Sequence, residues 1–185
     1  KVYLPDLCYL ALSMLSRELG YSSRCILHCS AVVKGDAGVL IVGDSGSGKT
    51  AVSVYLMLEK GFDFLSNDRT IIGQDDGVPT ILAGTMETRV RIGSISRYLP
   101  QLIPYLPDDA ERAAKEWSRK LTIDDKFAEL GIKTRSLAKL RYVFFVNTHN
   151  STGSELVIDP YPAEDRDYGR LITLSYISES VRAPG

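Results

Sequence analysis

Apolar residues near the start of the chain recur at the three- and four-residue spacing of one helix face. The spacing covers Leu7 to Leu19 and predicts a first helix there, with Gly20 as its stop. The apolar positions are Leu7, Leu10, Ala11, Met14, Leu15 and Leu19. A helix therefore opens the domain.

The next two apolar segments are typical of strands. Ile26 to Val33 is rich in β-branched residues, and Gly38 to Val42 is a short apolar run. The residues between them, Lys34-Gly35-Asp36-Ala37, are turn-forming, so the pattern predicts a β-hairpin.

The hairpin turn also predicts which residues face each other. With Gly35-Asp36 as the turn, Ala31 pairs with Leu40 and His28 lies opposite Gly43. A turn longer by one or two residues would shift this register. The pairing places a histidine beside the residue that follows the second strand.

A helix and three more strands follow the hairpin. Thr50 to Lys60 is predicted as a helix that ends at Gly61. The strand-like segments are Phe62 to Ser66, Thr70 to Ile72 and Val78 to Ala83. The residues before the last of them, Gln74-Asp75-Asp76-Gly77, are turn-forming.

The middle of the chain changes to a helical and polar pattern. Asp108 or Asp109 is a suitable cap for a helix to about Leu121, and Thr122 with Asp125 resembles a second capping pair. We therefore expect a helical insertion at about residues 94–138. We interpret residues 108–138 either as a lid over the acceptor or as an interface, for which a homo-oligomer is one expectation.

Strand patterns return towards the end of the chain. Leu140 to Asn147 is the most hydrophobic late segment, and weaker strand signals occur at Leu156 to Ile158 and near Leu171 to Tyr176. The pattern predicts a single α/β domain over residues 1–185 that contains the hairpin. Because the chain starts at Lys1 without a methionine, we expect it to be trimmed from a longer protein.

Charge and composition narrow the function classes. The chain has 22 basic and 23 acidic residues, so its formal charge is −1 and nothing indicates a nucleic-acid partner. The longest apolar runs are strand-sized, well short of the roughly 20 residues of a membrane span. No signal peptide is visible. We therefore expect a cytoplasmic protein without a nucleic-acid or membrane partner.

The three cysteines are Cys8, Cys25 and Cys29. An odd number near one end suits a reducing cytoplasm better than a disulfide framework. Cys25, His28 and Cys29 could supply three zinc ligands, but a fourth ligand is missing and the segment is predicted as a strand. Buried, reduced thiols are the simpler interpretation.

The strongest motif follows the second hairpin strand. Residues Gly43-Asp44-Ser45-Gly46-Ser47-Gly48-Lys49-Thr50 match the pattern G-x-x-x-x-G-K-[ST] of a phosphate-binding loop. Its glycines let backbone N–H groups turn towards phosphates, and the following helix adds its positive dipole end. We expect Lys49 to reach the β- and γ-phosphates of ATP and Thr50 to ligate Mg²⁺. The alternative is a glycine-rich turn without a ligand.

Two further residues are candidates for proton transfer. Asp68 follows the strand after the loop's helix, where a carboxylate can hold Mg²⁺ or accept a hydroxyl proton. His28 lies at the mouth of the same site in the predicted register, where it can contact the γ-phosphate or help to transfer a proton. A solvated turn and a structural histidine are the alternatives.

An alternating charged segment comes next. Glu87, Arg89 and Arg91 share one face of an extended chain. One carboxylate and two guanidinium groups suit a metal ion and a phosphate. A surface strand with salt bridges explains the pattern equally well.

These residues together resemble the HPr kinase/phosphorylase family, in which a histidine-bearing hairpin leads into Gly-Asp-Ser-Gly-x-Gly-Lys-Ser. The corresponding stretch here runs from His28 to Thr50. An acidic pair of the family is matched by Asn67-Asp68, and its Leu-Glu-Ile-Arg-Gly motif by Met86-Glu87-Thr88-Arg89-Val90. The resemblance covers about residues 26–91.

The resemblance implies a mixed-sheet P-loop fold akin to phosphoenolpyruvate carboxykinase. It also implies an ATP- and Mg²⁺-dependent kinase that phosphorylates a hydroxyl group of a protein, peptide or metabolite. In that family's scheme, His28 and Asp68 assist proton transfer and Lys49 binds and polarises phosphate. Thr50 and Glu87 hold Mg²⁺.

Three positions depart from the family pattern. Asn67 replaces the first acidic residue of the pair, Ala51 replaces a glutamate, and Val90 replaces a glycine. The departures disfavour HPr itself as the acceptor and favour a peptide or a small hydroxyl metabolite. A regulatory ATP-binding module that hydrolyses ATP slowly or not at all is the alternative function. Carboxykinase-like chemistry would need further metal-binding histidine or lysine residues near the loop.

Overall fold

The computed structural model of the protein describes residues 14–15, 17–116 and 118–146. The first helix, α1, is described over residues 14–15 and 17–21, so it continues one residue past its predicted stop at Gly20. Most of the predicted helix before residue 14, and the strands predicted at 156–158 and near 171–176, lie outside the described residues.

The main sheet contains seven described strands. They are β1 (Cys25–Leu27), β2 (Cys29–Lys34), β3 (Ala37–Val42), β4 (Asp63–Ser66), β5 (Thr70–Asp75), β6 (Val78–Gly84) and β9 (Ala138–Phe145). Their order is β1-β5-β6-β9-β3-β2-β4. In this described part of the chain β3 and β9 run parallel, and the other neighbouring pairs are antiparallel. The predictions of a mixed sheet and of a late strand are therefore confirmed.

The β2–β3 hairpin has the predicted register. Ala31 pairs with Leu40 and Val33 with Gly38. Gly35 takes a φ of +63° in the two-residue turn. Glycine adopts this left-handed conformation without the steric cost of a Cβ atom, which is why the turn forms here.

The strand predicted at Ile26 to Val33 is wrong in one respect, because it breaks at His28. β1 pairs with β5, whereas β2 pairs with β3 and β4. The chain therefore changes partners at this histidine. The last hairpin pair is Cys29 with Val42, so His28 lies one residue beyond the ladder.

The chain connects the two ends of the main sheet twice, and the two connections lie close together. β1 leads to β2 through one residue and β4 leads to β5 through residues 67–69, although these strands lie at opposite ends of the strand order. The hydroxyl of Thr70 in β5 donates a hydrogen bond to the carbonyl oxygen of Cys29 in β2 at 3.4 Å. The same hydroxyl lies 2.6 Å from that of Ser66 in β4. The two crossings therefore lie side by side.

The predicted helix after the loop is α2 (Lys49–Lys60). It ends at Gly61, which takes a φ of +62° as its C-cap. Its buried residues Val54 and Met57 belong to the same apolar cluster as Ile41 of β3. The helix therefore packs on one face of the hairpin.

The other face of the hairpin is buried as well. Ala31, Leu40 and Val42 are at most 1% exposed and pack in a second cluster with Leu65 and Ile81. Burial on both faces explains the continuous apolar run of β3, which shows no alternation.

The strand predicted at Thr70 to Ile72 is longer than expected and extends to Asp75. The turn before β6 narrows to Asp76 and Gly77, whose φ values are +48° and +76°. Positive φ at both positions is the geometry of the two-residue turns that match strand twist.

The predicted helical insertion consists mostly of short elements. They are α3 (Ile92–Tyr98), a 3₁₀ helix (Pro100–Tyr105), α4 (Ala110–Ala113), β8 (Lys120–Thr122) and a second 3₁₀ helix (Asp124–Lys126). The helix predicted from Asp108 or Asp109 to Leu121 is wrong, because it ends at Ala113 and Leu121 lies in a strand.

Tertiary packing explains this error. β8 pairs with β7 (Arg89–Arg91) in a second, two-stranded antiparallel sheet. Ile123, directly after β8, is fully buried. The backbone N–H of Thr88 donates to the carboxylate of Asp124 at 3.1 Å, while Thr122 lies in β8 and caps no helix. Strand pairing and burial therefore override the capping signals of the sequence.

Candidate functional site

The glycine-rich loop joins β3 directly to α2. A Cβ atom at Gly43 would lie 2.4 Å from the carbonyl oxygen of Val146 and 2.5 Å from the hydroxyl of Ser47. Gly48 is the N-cap of α2 with a φ of +97°. Both positions therefore require glycine for the loop to follow this path.

Lys49 is the first residue of α2 and is only 8% exposed. Its ammonium donates hydrogen bonds to the carbonyl oxygens of Gly43 at 2.7 Å and Asp44 at 3.0 Å. A buried ammonium needs such partners to offset the loss of water. The positive charge therefore lies against the loop that the motif predicts to bind phosphate.

His28 and Asp68 meet at the two chain crossings. His28 Nε2 lies 3.2 Å from Asp68 Oδ1. Asp68 has a φ of +70°, a left-handed conformation that aspartate adopts more readily than most residues. Strained backbone of this kind is frequent at functional sites. Two residues predicted separately from sequence thus form one pair.

The surroundings of Asp68 favour its ionised form. The hydrogen bond from His28 is the largest effect and lowers the pKa of Asp68, against the opposing effect of partial burial. Electrostatic interactions with His28, Arg69 and Lys49 lower this pKa further. The carboxylate is therefore ionised at neutral pH, and its free lone pairs can accept a proton or a hydrogen bond.

Asn67 is a buried hub that the sequence analysis noted only as a departure from a family pattern. Its Oδ1 accepts hydrogen bonds from the hydroxyls of Ser30 at 2.7 Å and Thr50 at 3.2 Å. Its Nδ2 donates to the carbonyl oxygen of Glu87 at 3.1 Å. These partners are far apart in sequence, so no local signal could have revealed the hub.

The three predicted Mg²⁺ ligands, Thr50, Asp68 and Glu87, line one cavity of about 200 Å³. Glu87 also forms an ion pair with Arg89. Among the residues that the structure describes, no three His, Cys, Asp or Glu side chains are grouped as metal ligands. Mg²⁺ usually takes one or two carboxylates from the protein and other oxygens from phosphates and water. The hydroxyl and carboxylates therefore fit a shared Mg²⁺ better than an all-protein metal site.

A larger cleft of about 690 Å³ connects the loop with the β7–β8 sheet. Its lining contains one histidine and five charged residues, namely His28, Lys49, Asp68, Arg89, Arg91 and Lys120. Arg89 and Arg91 share the cleft-facing side of β7, as their alternation predicts, whereas Glu87 precedes the strand. Burial lowers the pKa of Arg91. Lys120 was not predicted as a site residue, because a three-residue strand is too short to show alternation.

The cysteines give no support to the zinc alternative. Cys25 and Cys29 are free thiols, and Cys25 is exposed, contrary to the expectation that it is buried. Burial raises the pKa of Cys29 to about 12, so its thiol is protonated. A protonated thiol is a poor zinc ligand.

No family model matches the chain, and no curated protein sequence matches it. Among solved structures, the chain is similar to the HPr(Ser) kinase/phosphatase from Coxiella burnetii. The two share 14% sequence identity over 70% of each chain, with a TM-score of 0.44. A likeness at this level shows neither family nor activity. The family resemblance therefore stays a prediction from the sequence motifs.

In the part of the chain that the structure describes, no helix is both long and apolar enough to cross a membrane.

Proposed function

We propose that this protein transfers the γ-phosphoryl group of ATP to a hydroxyl group, as a kinase of the type that its motifs resemble. One observation carries the proposal: the loop lysine, Lys49, and an ionised, histidine-bonded carboxylate, Asp68, line the same cleft. A phosphate group and a hydroxyl group can therefore meet between a cation and a base.

The loop is the proposed binding place of the triphosphate. The N-terminus of the 12-residue helix α2 provides its positive dipole end, and Lys49 adds a full positive charge beside it. For Lys49 to reach the β- and γ-phosphates, it must exchange the carbonyl oxygens of Gly43 and Asp44 for phosphate oxygens. That exchange keeps the buried ammonium paired throughout.

The proposed reaction is an in-line displacement at the γ-phosphorus. The acceptor's hydroxyl oxygen forms the new bond to phosphorus, and the bond from phosphorus to the β–γ bridging oxygen breaks. The hydroxyl proton passes to Asp68, and ADP leaves with the electron pair of the broken bond. Lys49 stabilises the negative charge on the phosphate oxygens during the transfer.

A low pKa makes Asp68 a weak base, but phosphoryl transfer tolerates one. Catalysis in this reaction rests mainly on positioning and on electrostatic stabilisation. His28 keeps the carboxylate ionised and fixes its orientation through the 3.2 Å contact. A correctly placed acceptor for the proton is then sufficient.

Thr50, Asp68 and Glu87 are the residues proposed to hold Mg²⁺. The ion would neutralise negative charge on the β- and γ-phosphates. Asn67 fixes the Thr50 hydroxyl through a 3.2 Å hydrogen bond and brings no charge of its own.

Mass spectrometry of reaction products tests the proposal. The purified protein is incubated with Mg·ATP and a pool of cell-extract peptides and metabolites. Lys49→Ala serves as the inactive control. Asp75→Asn, at an exposed carboxylate of β5, serves as the matched control for Asp68→Asn.

We expect a product heavier by one phosphate with the native protein and with Asp75→Asn, absent with Lys49→Ala and strongly reduced with Asp68→Asn. ATP that is bound but unspent across the whole pool would contradict the kinase and support a regulatory ATP-binding module.

A further inference from the structure

Two helices contribute an uncharged part of the large cleft. Helix α2 supplies Ala51, Val52 and Tyr55 to its lining, and helix α3 supplies Ser94 and Tyr98. Val52 and Tyr55 are three residues apart and Ser94 and Tyr98 are four apart, so each pair shares one face of its helix. Aromatic and apolar side chains with a few polar groups are the usual lining of a small-molecule site.

The packing of α3 keeps Ser94 and Tyr98 at the cleft. Ile92 and Ile95 are at most 2% exposed, and Ile95 belongs to the apolar cluster under α2. These isoleucines are three residues apart and form a second, buried face of α3. The helix is therefore anchored on one side and presents the tyrosine on another.

The two tyrosines lie away from the carboxylate of the site. Asp68 and Thr50 line both the large cleft and the small cavity, whereas Tyr55 and Tyr98 line the large cleft alone. Tyr55 follows Lys49 by six residues in α2, which is about 9 Å along the helix axis. The aromatic part of the cleft is therefore displaced along α2 from the part that holds Asp68.

The geometry of phosphoryl transfer assigns this aromatic part to the nucleotide. In an in-line displacement, the acceptor and the departing ADP lie on opposite sides of the γ-phosphorus. Asp68, as the proposed base, marks the side of the acceptor. The nucleoside therefore lies away from Asp68, in the direction in which the cleft continues between α2 and α3.

We propose that Tyr55 and Tyr98 bind the base of the nucleoside triphosphate by stacking. This inference rests on the proposed kinase function. The ammonium of Lys60 lies 5.7 Å from the ring centroid of Tyr55, and the guanidinium of Arg97 lies 5.2 Å from that of Tyr98. The side chains are nevertheless 40% and 53% exposed, which leaves ring surface for a base.

Stacking of this kind does not distinguish one purine from another. Every base has a π face, so a contact with an aromatic ring tolerates different bases. The hydroxyl of Ser94 can both donate and accept a hydrogen bond, so it suits adenine and guanine alike. We therefore expect the protein to bind ATP and GTP with similar affinity.

Calorimetry with three probes separates the base from the phosphates. The probes are a non-hydrolysable ATP analogue, the corresponding GTP analogue and tripolyphosphate, which carries no nucleoside. Each is titrated into the protein in the presence of Mg²⁺. The variants are Tyr55→Ala and Tyr98→Ala, with Tyr55→Phe and Tyr98→Phe to restore the ring. Tyr21→Ala is the control, at a 73% exposed tyrosine outside the cleft lining.

Each alanine variant should bind both nucleotide analogues about fivefold or more weakly, as for the loss of one stacking contact. Its affinity for tripolyphosphate should stay the same, because the phosphate loop is intact. The phenylalanine variants and Tyr21→Ala should bind all three probes as the native protein does.

Unchanged nucleotide affinity in both alanine variants would overturn the inference while the kinase proposal stands. Equal losses for tripolyphosphate and the nucleotides would also overturn it, because they would reflect a damaged loop. A loss that phenylalanine does not restore would contradict stacking. If the native protein binds none of the probes, the kinase proposal itself fails, and the base site fails with it.

Discussion

The β2–β3 hairpin pairs six residues on each strand and is buried on both faces, whereas the β7–β8 sheet pairs three and is buried on one. Both line the same cleft, the hairpin through Ser30 of β2 and through the loop that follows β3. In the hairpin, the turn residues, the strand register and the burial of both faces all favour the same structure. In the short sheet, Arg91 opposite Lys120 opposes the pairing that brings them together.

This difference bears on the role that we propose for the loop. Phosphate binding requires a loop held in one backbone conformation, and a ladder packed between two apolar clusters can hold it. The short β7–β8 ladder, in contrast, carries cations at the cleft although Arg91 and Lys120 are paired directly opposite each other, at some cost in stability. Local conflicts of this kind are expected at functional sites.

The largest effect is expected at the rigid wall, from Lys49→Met. Methionine keeps the apolar stem but removes the charge, so phosphoryl transfer should fall by about 10³-fold. Product formation from Mg·ATP measures this. Lys34→Met is the matched control, because Lys34 also bonds backbone carbonyls, those of Lys60 and Gly61 at the other end of α2. Equal losses in both variants would contradict a special role for Lys49.

The difference in packing between the hairpin and the short sheet is tested next, by shortening one apolar side chain in each. Ile41→Ala, at a fully buried position of strand β3, should lower the free energy of unfolding by about 2–5 kcal/mol. Leu121→Ala, at a half-buried position of β8, should cost about 1 kcal/mol or less. Urea denaturation followed by circular dichroism compares them. Similar costs would mean that the two walls are equally well held.

Asp68→Asn should reduce phosphoryl transfer by about 10²-fold, within the range for loss of a general base. The melting temperature should change little, because the side chain is about half exposed (53%). Nucleotide affinity should fall by less than turnover, because Thr50 and Glu87 remain to hold Mg²⁺. Single-turnover kinetics and calorimetry separate the two effects. Unchanged turnover would remove Asp68 from the proposed role.

The smallest effect is a displacement of the pH profile in His28→Ala. Asp68 must be ionised to accept a proton, and its bond to His28 lowers its pKa below the ordinary value. The acidic limb of activity should therefore lie at low pH in the native protein and move to higher pH in the variant. The rate measured against pH tests this. A limb that stays in place would mean that His28 does not act through Asp68.

The sequence was sufficient where signals are local. Gly35 gave the hairpin turn and hence the register, and Gly61 gave the end of α2, because each glycine takes a left-handed φ at its position. The break at His28 was missed, because β-branched residues surround it and only the exchange of strand partners reveals it. β8 was missed because pairing with β7 decides its structure.

The candidate site divides in the same way. Lys49 and Thr50 follow from one contiguous motif, and both line the large cleft, as do the predicted His28 and Asp68. Asn67 could not be predicted as a hub, since its partners Ser30, Thr50 and Glu87 come from separate elements. Lys120 belongs to the same class, because only the fold brings it opposite Arg91.

The central claim is that the loop between β3 and α2 binds a nucleoside triphosphate, and calorimetric titration of a non-hydrolysable ATP analogue tests it most directly. We predict Mg²⁺-dependent binding of one molecule to the native protein and to Lys34→Met. In Lys49→Met the affinity should fall by about tenfold or more, as for the loss of a charge-assisted contact to phosphate. Absence of binding to the native protein, or equal binding to Lys49→Met, would contradict the claim.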